Sequence, residues 1–110
     1  MAFQHGTLAD GRWHTMSLAE QLGNVGSEVH RACVTQHKND KRFLNARDRA
    51  LELFDLTLAD PRWRGRLREI ARAREVFCDA ASDGKEYGST LEGLEKYFDQ
   101  FALVARNRVR

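Results

Sequence analysis

Apolar residues recur at alternating steps of three and four in four separate stretches of this chain. This spacing aligns side chains on one face of an α-helix, whereas a strand would alternate at every second residue. The stripe of the first stretch contains Leu18, Leu22, Val25, Val29 and Ala32. A chain with four such stripes must bury them against one another, so the pattern predicts an all-α fold.

The ends of the helices are predicted from capping and turn signals. Ser17 and Glu20 have the spacing of a capping box, so we expect the first helix at residues 17–37. The dipeptide Asp60-Pro61 is expected to end the second helix and to start the third. Proline disfavours helical geometry in the residue before it but fits the first position of a helix, with aspartate as the N-cap.

The last connection and the chain topology follow from the same kind of signal. The third helix is expected to end at the turn signal of residues 82–84, and Ser89 with Glu92 repeats the capping-box spacing at the start of the fourth. All connections are then short, which favours antiparallel neighbours. We predict an up-down-up-down four-helix bundle over residues 17–110, preceded by an N-terminal arm at residues 1–16, where no apolar period is visible.

Two glycines, Gly23 and Gly26, lie inside the first predicted helix. Each costs about 1 kcal/mol relative to alanine in a helix interior. This cost has a physical reason if another backbone approaches the first helix closely at these positions. We therefore expect a tight helix contact there.

Composition limits the class of protein. The 110 residues are enough for one domain, and 42% hydrophobic with 31% charged residues is typical of a water-soluble globule. No apolar run approaches the ~20 residues of a membrane span, and the start has no secretory pattern, so we expect a cytoplasmic protein with no membrane partner. The two cysteines are interpreted as reduced core residues.

Three sequence blocks carry a resemblance that extends over about residues 13 to 106, most of the chain: SLAEQLGNVGSEVHRA, RALELFDLTLADPRWRGRLREIARAREVFCD and EYGSTLEGLEKYFDQFALVAR. In these blocks the chain resembles a group of small helical proteins from bacteria and archaea that has no established activity. The resemblance implies a soluble prokaryotic helical domain. It provides no catalytic residues.

Several charged residues fall on the apolar faces of the predicted helices. Unpaired buried charges cost several kcal/mol, so these residues should pair or reach water. We expect a buried polar network across the bundle, formed by Arg47, Arg74, Glu28, Asp55 and Glu95. Such a network would fix the register of the helices; a polar binding pocket and side chains that reach the surface are the alternatives.

A run of arginines at the start of the third helix is the main asymmetry in a chain whose net charge is only +2. Arginines mixed with an aromatic residue are typical of nucleic-acid contacts. The candidates are Arg62, Arg64, Arg66, Arg68 and Arg72. The alternative is a solvated helix face on which the arginines pair with nearby acids.

His30, Cys33 and His37 lie at positions i, i+3 and i+7, which places them on one face of the first helix. Imidazole and thiolate are ligands for zinc and similar metals, so these residues are a candidate metal site. The alternative is that Cys33 packs in the core and His37 interacts with the C-terminal end of the helix dipole.

Two enzymatic hypotheses can be compared with the sequence. Arg31 and His37 resemble the arginine-to-histidine spacing of the helical HEPN ribonucleases, in which histidine performs acid/base work and arginine stabilises phosphate charge. A di-iron carboxylate bundle requires two Glu-x-x-His pairs, and this chain contains none. No glycine-rich phosphate loop or nucleophile–base pair is present either.

The function predicted from the sequence is therefore non-enzymatic. We expect a small helical interaction protein, without a cofactor, that self-associates or binds a protein partner. Leu56, Tyr97 and Val104 point away from the predicted core stripes and favour self-association. A nucleic-acid-binding accessory protein is the second hypothesis, and a metal-dependent or HEPN-like enzyme is the third.

Overall fold

A computed structural model of the protein describes the backbone of residues 11–108 and the side chains of residues 11–101. Over this part of the chain there is no strand. The four α-helices are α1 (Leu18–Thr35), α2 (Asp40–Leu58), α3 (Leu67–Ala81) and α4 (Leu91–Arg108). The prediction of an all-helical fold with four packed helices is confirmed.

The start of α1 agrees with its sequence signal. Ser17 accepts a hydrogen bond from the backbone of Glu20, and the Glu20 carboxylate accepts one from the backbone of Ser17. The start of α4 differs from the prediction, because Thr90 rather than Ser89 accepts a hydrogen bond from the backbone nitrogen of Gly93. The Ser89 nitrogen instead donates to Asp79.

The third helix starts later than its sequence signal predicted. Asp60 caps as expected, but the residues that follow form a 3₁₀ segment, Pro61–Arg66, and α3 begins only at Leu67. Trp63 departs from helical geometry, with φ −102° and ψ 22°. The physical reason is that its indole nitrogen is held by Gln21 of α1, while Gly65 has a low helix propensity.

The core lies around α1, which packs extensively against α2 and α4. Phe54 of α2 is central, with ring centroids 5.9 Å from Phe77 and 5.8 Å from Phe98. Trp13, which the sequence assigned to an N-terminal arm, is fully buried in a short 3₁₀ turn, Arg12–Thr15. Residues 1–10 of the predicted arm lie outside the described residues.

The contacts of α4 with its two neighbours differ. At the α1–α4 seam, a Cβ added to Gly26 would lie only 2.7 Å from Cβ of Phe98, so the predicted tight helix contact is confirmed at Gly26. The α3–α4 seam is much more sparsely packed. Among the described residues, no helix combines the length and apolar character that crossing a bilayer requires.

Candidate functional site

The sparse packing between α3 and α4 leaves a groove of about 440 Å³. Its lining comes from both helices and from the connection before α4: Glu69, Arg72, Ala73, Val76, Ser89, Thr90, Gly93, Leu94 and Tyr97. The volume lies in the range of small-ligand and side-chain pockets. The groove is therefore a candidate binding site, which we call the α3–α4 groove.

The two walls of the groove follow from helical spacing. The lining residues of α3, at positions 69, 72, 73 and 76, have the i, i+3, i+4, i+7 pattern. Thr90, which precedes α4, forms the same pattern with residues 93, 94 and 97 of α4. Among the lining residues, Ala73 and Leu94 are buried, whereas Glu69 and Arg72 are exposed. The groove thus has an apolar floor and a polar rim.

Gly93 keeps the α4 wall of the groove low. A Cβ at this position would have one neighbour within 4 Å, the hydroxyl oxygen of Thr90 at 3.2 Å. A side chain at residue 93 therefore requires the Thr90 hydroxyl to move by a few tenths of an ångström, and beyond that it would extend into the groove. A glycine in a helix costs about 1 kcal/mol relative to alanine, and among the described residues no side chain packs against Gly93 as Phe98 packs against Gly26.

The polar groups at the rim pair with one another. Glu69 accepts hydrogen bonds from Arg66, with Nε–Oε2 at 2.9 Å, and from the Tyr97 hydroxyl at 3.3 Å. Burial and the neighbouring Glu69 carboxylate raise the pKa of Tyr97, so its hydroxyl stays protonated and able to donate. Arg72 lies 3.4 Å from Glu75 and covers the ring of Tyr87.

Three of the five arginines proposed for nucleic-acid binding have acidic partners. Arg66 and Arg72 pair with Glu69 and Glu75 on the helix surface. Arg62 donates to Asp60 from Nη2 at 2.7 Å and from Nε. In the part of the chain that the structure describes, the remaining two have no acidic partner; they are Arg64 and Arg68.

Arg62 belongs to a structural cluster that sequence reasoning missed. Its hydrogen bonds hold the pKa of the buried Asp60 well below its usual range, although burial acts in the opposite direction. Gln21 is fully buried and donates to Asp60 at 3.0 Å and to the Trp13 carbonyl at 2.9 Å, and it accepts from the Trp63 indole. The available signal was the position of Gln21 on the apolar face of α1.

Asp79 was also missed. This buried carboxylate accepts backbone hydrogen bonds from Glu86 at 2.7 Å and from Ser89 at 3.1 Å. It thereby fixes the connection between α3 and α4 and positions Ser89 and Thr90 at the end of the groove. A lone aspartate near a helix end gave no sequence signal for this role.

The predicted polar network separates into four pairs. Arg74 Nε donates to Asp55 Oδ1 at 3.0 Å across α2 and α3, as expected, but the two side chains are 34% and 56% exposed. The prediction that Arg47 faces an acid across the bundle is wrong, because Arg47 pairs with its neighbour Asp48 on the surface.

The other two acids of that predicted network bind residues of α1. Glu28 accepts from Arg31 at 2.7 Å, and Glu95 of α4 binds His30. Only the Arg74–Asp55 pair joins two members of the predicted set. Two of the four pairs are local, Arg47–Asp48 and Arg31–Glu28, and two join different helices, Arg74–Asp55 and His30–Glu95. The position of a charge on an apolar face was therefore not enough to predict its partner.

His30, Cys33 and His37 do not form a common ligand set. His30 binds Glu95 of α4, whereas His37 follows α1 at φ 64° and its Nε2 lies 2.6 Å from Asp83 Oδ1. Among the residues that the structure describes, no group of three or more His, Cys, Asp or Glu side chains is arranged to hold a metal ion.

Cys33 and the proposed ribonuclease pair of Arg31 and His37 each have surroundings in α1 that can be compared with the predicted chemistry. Burial, followed by the nearby carboxylates Glu92 and Glu95, raises the pKa of Cys33 to about 11, which disfavours the nucleophilic thiolate. Arg31 and His37, the proposed ribonuclease pair, bind different acids, Glu28 and Asp83.

Of the three residues predicted to favour self-association, one lies in the core, one lines the α3–α4 groove and one has a side chain outside the described part of the chain. The prediction that Leu56 points outward is wrong, since it is 8% exposed and belongs to the core. Tyr97 is half-buried and lines the α3–α4 groove. The side chain of Val104 lies outside the described residues.

Comparisons with known proteins do not assign a family. No protein-family model, curated protein or solved structure matches the chain.

Proposed function

We propose that this protein is a non-enzymatic interaction protein that self-associates through the α3–α4 groove. The observation that carries the proposal is the open apolar seam, whose α4 wall is lowered by Gly93. An exposed apolar groove with a polar rim is typical of a surface that another molecule covers.

A second copy of the chain suits the charges of the rim. Glu69 and Arg72 are three residues apart on the same wall of the groove. In an antiparallel dimer with its two-fold axis between them, Glu69 of one copy faces Arg72 of the other, and the same pair forms again by symmetry. Two-fold dimers are the commonest soluble oligomers, and their interfaces must be self-complementary in this way.

The proposal also includes the order of the helices and the location of the protein. The up-down-up-down order of the helices is favoured by the short connections between them. A cytoplasmic location in a prokaryotic cell follows from the composition and from the resemblance described above.

Filling the groove tests the proposal. Gly93→Leu introduces a side chain where the chain itself leaves room, so the fold should persist while the dimer dissociates. Gly65→Leu is the matched control, because a Cβ at Gly65 would meet no atom within 4 Å and this residue does not line the groove. Sedimentation velocity should show a dimer for the wild type and for Gly65→Leu, and a monomer for Gly93→Leu.

Two outcomes would contradict self-association through the groove. One is a wild type that stays monomeric at every concentration, in which case the groove serves a different molecule. The other is a Gly93→Leu variant that remains fully dimeric, which would place the interface elsewhere.

A further inference from the structure

A second cavity, of about 350 Å³, lies between α1 and α2 and shares no lining residue with the α3–α4 groove. Every charged residue that lines it is an arginine: Arg31, Arg42 and Arg49. The remaining lining residues are neutral and include Asn45. We call it the arginine cavity.

The two helices bring the arginines to one opening. Arg42 and Arg49 are seven residues apart, two turns along the same face of α2, with Asn45 between them. Arg31 comes from the facing side of α1. Its Nη1 donates at 2.7 Å to Glu28, a buried carboxylate that therefore holds the guanidinium in place.

Arg42 occupies an electrostatically unfavourable position. It lies in the first turn of α2, where the helix dipole is positive and disfavours a cation. Its guanidinium has no acidic partner within residues 11–101. An anion in the cavity would interact favourably with the positive end of the helix dipole and would provide the Arg42 guanidinium with a partner of opposite charge.

We propose that the arginine cavity binds a small phosphate-bearing molecule. Guanidinium groups match phosphate oxygens bidentately, and their charge persists at every physiological pH. The floor provided by the buried Ala46 and the exposed Val34 offers an apolar surface for the organic part of the ligand. This site is additional to self-association through the α3–α4 groove.

Calorimetric titration with adenosine monophosphate, adenosine and inorganic phosphate tests the proposal. Adenosine monophosphate should bind, inorganic phosphate should bind more weakly, and adenosine should not bind. Arg42→Gln should weaken binding of adenosine monophosphate about tenfold, because it removes a charge-assisted hydrogen bond. The matched control is Arg47→Gln on the same helix, since Arg47 pairs with Asp48 and does not line the cavity.

Three results would overturn the proposal. The first is that neither adenosine monophosphate nor inorganic phosphate shows saturable binding. The second is that Arg42→Gln and Arg47→Gln lose the same affinity for adenosine monophosphate. The third is that a single-stranded RNA binds whereas adenosine monophosphate does not. Circular dichroism should show no loss of melting temperature in either variant, because Arg42 is exposed and unfavourably placed in the first turn of α2, and Arg47 pairs with Asp48 on the surface. Sedimentation velocity on Arg42→Gln separates this site from the dimer, which the substitution should leave intact.

Discussion

The two seams that α4 makes with its neighbours contain the same residue type for different physical reasons. At the α1–α4 seam, Gly26 allows Phe98 to approach so closely that a Cβ would lie 2.7 Å from the Phe98 Cβ. At the α3–α4 seam, a Cβ at Gly93 would meet the Thr90 hydroxyl oxygen at 3.2 Å but no packed side chain among the described residues, and Gly93 lines a groove of about 440 Å³. One glycine closes a contact within the chain, whereas the other keeps a surface open.

The two glycines differ in what offsets their cost in helix propensity. Both residues cost about 1 kcal/mol of helix propensity relative to alanine. At Gly26 the cost is offset inside the molecule by burial of Phe98, which is 1% exposed. At Gly93 the described residues show no comparable burial, and the partner proposed for the groove would provide the offset.

Alanine substitutions at Gly26 and at Gly93 test the difference between the two seams most directly. Gly26→Ala should lower the free energy of unfolding by up to about 2 kcal/mol, since the overpacking cost of about 1–3 kcal/mol is only partly offset by the gain of about 1 kcal/mol in helix propensity. Gly93→Ala should raise it by up to about 1 kcal/mol. Urea unfolding at a protein concentration below the dimer dissociation constant measures both. Changes of equal sign would contradict the distinction between the two seams.

Much of the closed seam was predictable from the sequence. Apolar spacing located the four helices, Ser17 and Glu20 gave the start of α1, and the glycines of α1 indicated a close contact, confirmed at Gly26. These signals are local, because helical period and capping depend on residues within a few positions of one another.

The open seam was not predictable in the same way. The groove depends on how far α3 lies from α4, and that distance is set by distant contacts such as Asp79 with Ser89 and Gln21 with Asp60. Gln21 also holds Trp63, which delays the start of α3 to Leu67. Spacing along one helix contains no information about these partners.

Charge reversal at the rim sharpens the proposal for the open seam. Glu69→Arg and Arg72→Glu should each weaken the homodimer about tenfold, because each places like charges opposite one another twice across the two-fold axis. An equimolar mixture of the two variants should form a heterodimer, since Arg at 69 then faces Glu at 72 and the native residues pair at the second contact. Sedimentation equilibrium measures all three dissociation constants.

A mixture that associates no better than either variant alone would contradict the antiparallel arrangement. Arg74→Glu is the control, because Arg74 lies on α3 but pairs with Asp55 and does not line the groove. This variant should dimerise like the wild type.

The last prediction concerns Cys33, which faces the closed seam. Glu92 and Gly93 are neighbours in α4, yet the Glu92 carboxylate acts on Cys33 of α1 whereas Gly93 lines the groove with α3. Burial, with Glu92 and Glu95, raises the pKa of Cys33 to about 11. Folding thus favours the protonated thiol. This contribution to stability is complete below the pKa of the unfolded thiol, near 9, and is lost as the pH rises through 11.

Alkylation kinetics measure this shift. In a Cys78→Ser background, Cys33 should react with iodoacetamide at pH 8 about a hundredfold more slowly than an unperturbed thiol, and the rate should continue to rise up to pH 11. Glu92→Gln should speed the reaction at pH 8, since it removes one of the charges that oppose the thiolate. Glu75→Gln, at a carboxylate on the surface of α3, is the control and should change nothing. Rapid reaction of Cys33 at pH 8 would mean that the α1–α4 seam opens as readily as the groove beside it.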